Sequence, residues 1–314
     1  MAAKKVIHLG TRGSRLAVIQ SEYIKRRIMA LNPDVNIKLL TIKTTADKFR
    51  TTPLYRIGGK GLFLKEIEDA LLEGKVDLAV HSMKDVPAEI PEGLEIAAIT
   101  ERMDPRDALI SKEPLPSVEH LPKNARVATS SLRRASQLRH VRPDIEVVPI
   151  RGNLDTRLRK ITTENLDAIV LAMAGILRIN VKDIHLLPMD PNLCLPAAGQ
   201  GSLGIEVRKE DAEVRNLVSP LNDSKASTCI RAERACLQHL GAECYTSMAA
   251  FAEIKDAGIH LRAVVADLNG KRLLRDEAAG DLKDFESIGT ALAERLLSRG
   301  AKEIIEEMKQ SIAH

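Results

Sequence analysis

One short run holds the residue types from which chemistry could be built: Val76 to Pro87, VDLAVHSMKDVP. Its apolar start, Val76 to Val80, reads as a buried strand that stops at His81 and leaves Ser82, Lys84 and Asp85 at the strand end. Pro87 closes the segment. In open α/β sheets ligands bind beyond the carboxyl ends of the strands, so a carboxylate beside an ammonium is placed there for chemistry. A surface turn in which Lys84 and Asp85 pair only with each other accounts for the segment alone equally well. The cations elsewhere shift that balance. Arg12, Lys84, Arg133, Arg134, Arg151, Arg157 and Arg178 all fall at or just after expected strand ends or helix starts. From Arg126 to Arg142 there are five arginines and no acid. Solvated helix faces are the commoner source of such runs, but these cations follow the ligand-binding rim of a sheet. Their convergence calls for a ligand rich in carboxylates or phosphates, and arginine's planar fork suits a carboxylate. No GxxxxGK[ST] run is present, so a nucleotide is not the natural ligand. The four cysteines, Cys194, Cys229, Cys236 and Cys244, show no CxxC spacing, which points to reduced thiols and to neither a disulfide framework nor a metal site. Cys229 and Cys236 share an expected helix and read as packing residues.

The elements that must position these residues come in two similar series. The chain has 314 residues, 44% of them hydrophobic, enough for two or three domains. A net charge of +4, from 47 basic and 43 acidic residues, with no Trp, three Tyr and four Phe, speaks against a nucleic-acid partner. The start, MAAKKVIHLG, has no signal-peptide core and no later run approaches a membrane span, so the expectation is a cytoplasmic protein without a membrane partner. Val6 to Gly10 reads as a strand feeding a helix capped by Ser14, with Arg12 in the turn. A strand follows at Val35 to Ile42, and then Lys43 to Gly61, a stretch without apolar period that contains Arg56 and Lys60 and precedes a helix from Leu62 to Glu73. After a strand at Leu94 to Ile99, Asp104-Pro105-Arg106-Asp107 suggests a crossing, and Glu113 to Pro122 reads as a linker-like loop. The second series has strand Arg126 to Thr129, helix Ser131 to Val141 and strand Ile145 to Ile150. Leu166 to Met173 matches Val76 to Met83 in its Asp, Val and Met. With strand-Thr-helix entries at Thr11 and Thr129, this favours two α/β lobes facing each other across a cleft. Pro196 to Gly201 reads as a turn feeding a return strand, Leu203 to Val207. From about Asn222 the character changes to a helix, Ser224 to Leu240, a strand pair, Ile259 to Asp267 and Arg272 to Glu277, joined through Asn269-Gly270, and closing helices from Phe285.

With these residues in hand the sequence closely resembles the porphobilinogen deaminase family, also called hydroxymethylbilane synthase. The matching segments are GTRGSRLA, GGKGLF, AVHSMKDVP, DPRDA, TSSLRR, RGNLDTRL, LAMAGILR, PAAGQG and ERACLQHLGAEC, in family order from residue 10 to 244. The resemblance implies an α/β fold of three domains: two periplasmic-binding-protein-like doubly wound lobes, residues 1–101 with 197–220 and residues 102–196, and a small α+β C-terminal domain, residues 221–314. It implies a covalent dipyrromethane cofactor, held by a thioether at the position of Cys244, and porphobilinogen as the substrate of a monomeric enzyme. The implied reaction joins four substrate molecules head to tail with loss of ammonia and releases a linear tetrapyrrole. Positive charge develops on pyrrole nitrogens in that chemistry, and Asp85 matches the family carboxylate that faces them. Arg12, Ser14, Lys60, Lys84, Ser131, Arg133, Arg134, Arg151, Arg157 and Arg178 match positions that bind acetate and propionate groups. Gln20, Ser82, Thr129, Ser130, Gly152 and Gln200 belong to the same pattern.

Two positions depart from it. Arg56 stands where the family commonly has a lysine, which keeps the charge and changes the hydrogen-bond geometry. The usual GGCxxP becomes Ala242-Glu243-Cys244-Tyr245-Thr246-Ser247, so two glycines are lost and a carboxylate that disfavours the thiolate stands beside the cysteine. A two-lobed solute-binding protein for a polyanion, which needs neither Cys244 nor Asp85, is the alternative left by the residues alone.

Overall fold

A computed structural model describes residues 5–45, 64–241 and 246–313. They form two compact units: one takes 5–45, 64–103 and 202–227, the other 104–201, 228–241 and 246–313.

The first unit is built on β1 (Lys5–Arg12), β2 (Val35–Ile42), β3 (Leu78–Ser82) and β4 (Leu94–Ile99), completed by a strand from far along the chain, Leu203–Arg208. Strand order is β2-β1-β3, then Leu203–Arg208, then β4. β1 runs parallel to β2 and β3, and the late strand is antiparallel to both its neighbours. In the second unit β5 (Asp107–Ser111), β6 (Arg126–Ala128), β7 (Glu146–Val148), β8 (Ala168–Ala172) and β9 (His185–Pro188) repeat the plan in the order β7-β6-β8-β5-β9. Here too the first three are parallel and the fourth, β5, is antiparallel. The late strand of the first unit is β10. Central strands covered on both faces must be apolar throughout, and β3 and β8, LAVHS and AIVLA, are each buried in their first four residues. The matching segments 76–83 and 166–173 occupy these two equivalent strands. The fold is thus mixed α/β, with two doubly wound sheets of the same order and a smaller α+β part.

That smaller part is an antiparallel sheet, β11 (Met248–Lys255), β12 (Gly258–Ala266) and β13 (Leu273–Asp281), packed with helices Ser224–His239, Phe285–Leu296 and Lys302–Ala313. Cys229 and Cys236 lie in its core, as their helical spacing suggests. The Asn269-Gly270 turn does join two strands, and it is docked. Asp267 accepts from the N–H groups of Asn269, Lys271 and Arg272, and Gly270, at φ +71°, lies so close to helix Leu132–Val141 that a Cβ there would stand 2.4 Å from the Ser136 carbonyl oxygen.

Three elements differ from the sequence reading. Glu113 to Pro122 is no linker: Val118 and Leu121 are buried in the core of the second sheet. β9 and β11 were not legible as strands, because β9 is short and ends in Pro188, while β11 is rich in alanine, a poor strand former in isolation. Among the described residues no helix is long and apolar enough to cross a membrane, and no cluster of His, Cys, Asp and Glu has the arrangement of a metal site.

Candidate active site

In the first unit the parallel pair β1 and β3 brings its carboxyl ends side by side. β1 ends at Arg12, and Ser14 caps helix Arg15–Leu31 by accepting from the Ala17 N–H at 3.3 Å, the role its position in the turn suggests. β3 ends at Ser82 and passes into a single 3-10 turn, Met83–Asp85. The turn is held from several sides. The Met83 N–H donates to the Ser202 carbonyl at 3.1 Å, the Met83 side chain is buried, and the Val86 N–H closes the turn on the Met83 carbonyl at 3.2 Å. The buried Gln20 amide donates to the Ser82 hydroxyl at 3.0 Å. Lys84 and Asp85 alone in this turn are exposed. A carboxylate fixed through its backbone and open to a ligand is the arrangement needed to stabilise charge that appears only during reaction.

Beneath that strand end lies a group the sequence reading missed. His81 Nε2 sits 2.9 Å from Glu206 Oε2, both residues being buried, and helix Lys65–Leu72 adds the buried Glu68. Burial, then the charge of Glu206, push the Glu68 carboxyl up to about 7, with His81 acting in the opposite direction. The signal was present: His81 ends, and Glu206 interrupts, an apolar run that reads as a buried strand.

In the second unit the carboxyl ends of β6, β7 and β8 carry the expected residues. Past β6, Thr129 accepts from the Ser131 N–H at 3.2 Å, and Ser131 caps helix Leu132–Val141. The Ser130 hydroxyl donates to the Ile150 carbonyl at 2.6 Å and accepts from the Ile150 N–H at 2.9 Å, which fixes the chain just before Arg151. Gly152 has φ +112°, a conformation that favours glycine, and its carbonyl accepts from Arg157 Nε at 2.9 Å. Past β8, Arg178 donates to the Gly201 carbonyl at 2.7 Å. Arg151, Arg157 and Arg178 are partly exposed.

Arg133 and Arg134 are different. Although they open helix Leu132–Val141 at the same rim, they are only 5% and 6% exposed and turn inward to Asp107, which is fully buried. Arg133 donates to Asp107 Oδ2 and to the Leu195 carbonyl, both at 2.7 Å. Arg134 donates to Asp107 Oδ1 at 2.7 Å and to the Val170 carbonyl at 3.1 Å. Gln200 joins the same carboxylate at 2.9 Å and the Pro105 carbonyl at 2.6 Å. Burial alone would raise the Asp107 pKa, but the two guanidiniums outweigh it and hold the carboxyl well below its ordinary range. The adjacent Cys194 thiol is pushed up to about 12 by burial and by the Asp107 charge. Arg56, Lys60 and Cys244 lie outside the described residues.

Comparison with known proteins bears on the same strand ends. Residues 7–216 match the family "Porphobilinogen deaminase, dipyromethane cofactor binding domain", and residues 227–298 match "Porphobilinogen deaminase, C-terminal domain". The porphobilinogen deaminase of Syntrophobacter fumaroxidans is 47% identical over 304 residues, covering 97% of this chain and 98% of that protein. That of Carboxydothermus hydrogenoformans is 44% identical over 307 residues, 98% of each. Among solved structures, an ancestral cationic amino acid solute binding protein aligns with 69% of this chain and 87% of its own at 15% identity and a TM-score of 0.44. Since the first match spans both sheets with the strand-end cations they carry, the second spans most of the C-terminal part, and the relatives align end to end, this chain belongs to the porphobilinogen deaminase family.

Proposed function

We propose that Asp85 is the catalytic carboxylate of this chain and that Arg12, Lys84, Arg151, Arg157 and Arg178, with Ser14, Ser82 and Ser131, hold the acetate and propionate groups of substrate and cofactor. The family reaction is a transferase step of tetrapyrrole biosynthesis that joins four porphobilinogen molecules head to tail, releases ammonia and yields hydroxymethylbilane, with dipyrromethane as cofactor. The observation that carries the reading is the exposed Asp85 carboxylate at the end of a central strand, on a turn whose neighbours are buried and bonded.

The partly exposed cations and the serine hydroxyls at the strand ends fit a polycarboxylate such as dipyrromethane, since charge-assisted hydrogen bonds are worth roughly 1.5–3 kcal/mol each. When bound, that group supplies the pyrrole α-carbon on which the product is built. The chain's own part is electrostatic. As ammonia leaves porphobilinogen, positive charge moves onto the pyrrole nitrogen, and the fixed Asp85 carboxylate lowers the energy of that state and can hold the N–H proton. Gln20, Thr129, Ser130, Gly152 and Gln200 complete the binding set, together with Arg133 and Arg134, which Asp107 holds in place. Cys244 is the attachment point, and Arg56 and Lys60 add charge toward substrate. The division into two lobes and a C-terminal domain, a monomeric state, a cytoplasmic location and a purely small-molecule set of partners complete the proposal.

The test combines intact mass with turnover. Wild type and Asp85→Ala are expected to carry a mass excess of two linked pyrrole units on the peptide containing Cys244, and Cys244→Ser to lack it. Asp85→Ala is expected to lose turnover by about 10²–10³-fold. Near-normal turnover in Asp85→Ala sinks the assignment of Asp85, and a mass excess on another peptide sinks that of Cys244.

A further inference from the structure

The roles proposed above leave Glu68, His81 and Glu206 unused, although they are three ionisable side chains gathered beneath the Asp85 turn. They are 7%, 6% and 0% exposed. Along the β3–β10 register Glu206 pairs with Ala79 and Gly204 with His81, so the His81 and Glu206 side chains project from the same face of the sheet, diagonal to each other. Helix Lys65–Leu72 covers that face and contributes Glu68. Glu206 Oε2 meets the imidazole, but Glu206 Oε1 is buried with no hydrogen-bond partner among the described residues. A buried carboxylate oxygen without a donor is costly, and Glu68, whose carboxyl is pushed up to about 7, is the neighbour that burial and the charge of Glu206 favour in its protonated, donating form.

The other charged groups on this face are few among the described residues. β1 brings Arg12 and His8, two residues to either side of Gly10, which pairs with Ala79, and His8 Nδ1 lies 3.7 Å from Asp77. β10 brings Arg208, which donates to the Leu71 and Val76 carbonyls and pairs with Asp77 and Asp211. The helix itself adds Asp69, while β4 offers only the apolar Leu94, Ile96 and Ile99 to this face.

We propose that Glu68, His81 and Glu206 are positioning residues that share a buried proton and thereby fix the end of β3, and through it the Asp85 turn. The proposal rests on Asp85 being catalytic. Ser82, next to His81, points to the opposite face and is bonded there by Gln20, so the strand end is gripped on both faces. Loss of the shared proton sets two carboxylates against each other inside one of those grips.

The test is the pH dependence of the ratio of Glu68→Gln to wild-type kcat, with cofactor loading checked by mass. The amide keeps a donor for Glu206 and cannot ionise, so the ratio is expected to rise several-fold between about pH 6 and pH 8.5 while KM changes less than twofold. A ratio independent of pH overturns the coupling to Asp85. A second readout does not depend on Asp85: the difference in melting temperature between Glu68→Gln and wild type is expected to move in the variant's favour as pH rises through about 7. A constant difference overturns the shared proton itself. Asp85→Ala assayed alongside separates the cases, because near-normal turnover there removes the catalytic reading while the melting experiment still decides the proton.

Discussion

Asp107 fixes the directions of two arginines at the start of helix Leu132–Val141. With both carboxylate oxygens taken by guanidiniums and a third contact from Gln200, it is a closed ionic group inside the second unit. Breaking a buried pair by removing one partner strands the other charge, so Asp107→Asn is expected to lose about 3–5 kcal/mol of stability by urea denaturation. Because the folded pKa lies below the unfolded one, the contribution of Asp107 is fully present above the unfolded value and is lost only as pH falls through its depressed folded value. The same environment silences the nearby thiol. Cys194 and Cys236, buried and each pushed up to about 12, are expected to stay unalkylated when native protein is treated with iodoacetamide at about pH 8, and labelling of either at the rate of a free thiol would contradict their placement. At this scale the sequence disclosed which residues matter and hid where they point. Arg133 and Arg151 look alike in a list of cations at helix starts; only the partner, Asp107, 26 positions away from Arg133, separates a buried ionic group from a partly exposed cation.

The elements set how firmly Asp85 is held. Met83 fills the space beside β10, and Gly204, whose strand partner is His81, has no room for a side chain: a Cβ there would stand 2.3 Å from Met83 Sδ. Met83 is 2% exposed and begins the turn that ends at Asp85, so the clash cannot be relieved toward solvent. Gly204→Ala is expected to cost about 1–3 kcal/mol in stability and to lower kcat more than it changes KM. Met83→Ala in the same chain should restore part of both, a coupling read from the double-mutant cycle; purely additive losses would count against the contact. Elements of strong period or sharp punctuation were legible in advance: β3 by its apolar run, Ser14 and its helix by the cap, and the β12–β13 connection by Asn269-Gly270. β11 was not, since its alanines, buried on both faces, give almost no hydrophobic contrast, and strand character there comes from pairing with β12 along its whole length.

At the level of the whole molecule the repeated strand order explains why two lobes could be inferred from a short internal match and why their closure could not. In each sheet three parallel strands stand beside an antiparallel one that comes from the point where the chain passes between units. The crossing at Asp104 to Asp107 and the return strand Leu203 to Val207 were legible, but no local pattern says which strands β5 and β10 will pair with. The ionisable grip on β3 shares this origin: His81 and Glu206 are 125 positions apart, a separation no motif spans. During synthesis this order of strands has its own effect. The second sheet, lying wholly between residues 107 and 188, has all its strands by the time β9 has left the ribosome, whereas the first, begun at residue 5, still lacks β10. At about 5–20 residues per second the edge of β3 stays open for roughly 6–25 s after His81 is made, as an unpaired ladder flanked by apolar side chains. The lobe that starts first is therefore sealed last, and a message cut short before residue 203 leaves behind a polypeptide with a sticky strand edge, a burden on chaperones rather than a silent loss of enzyme.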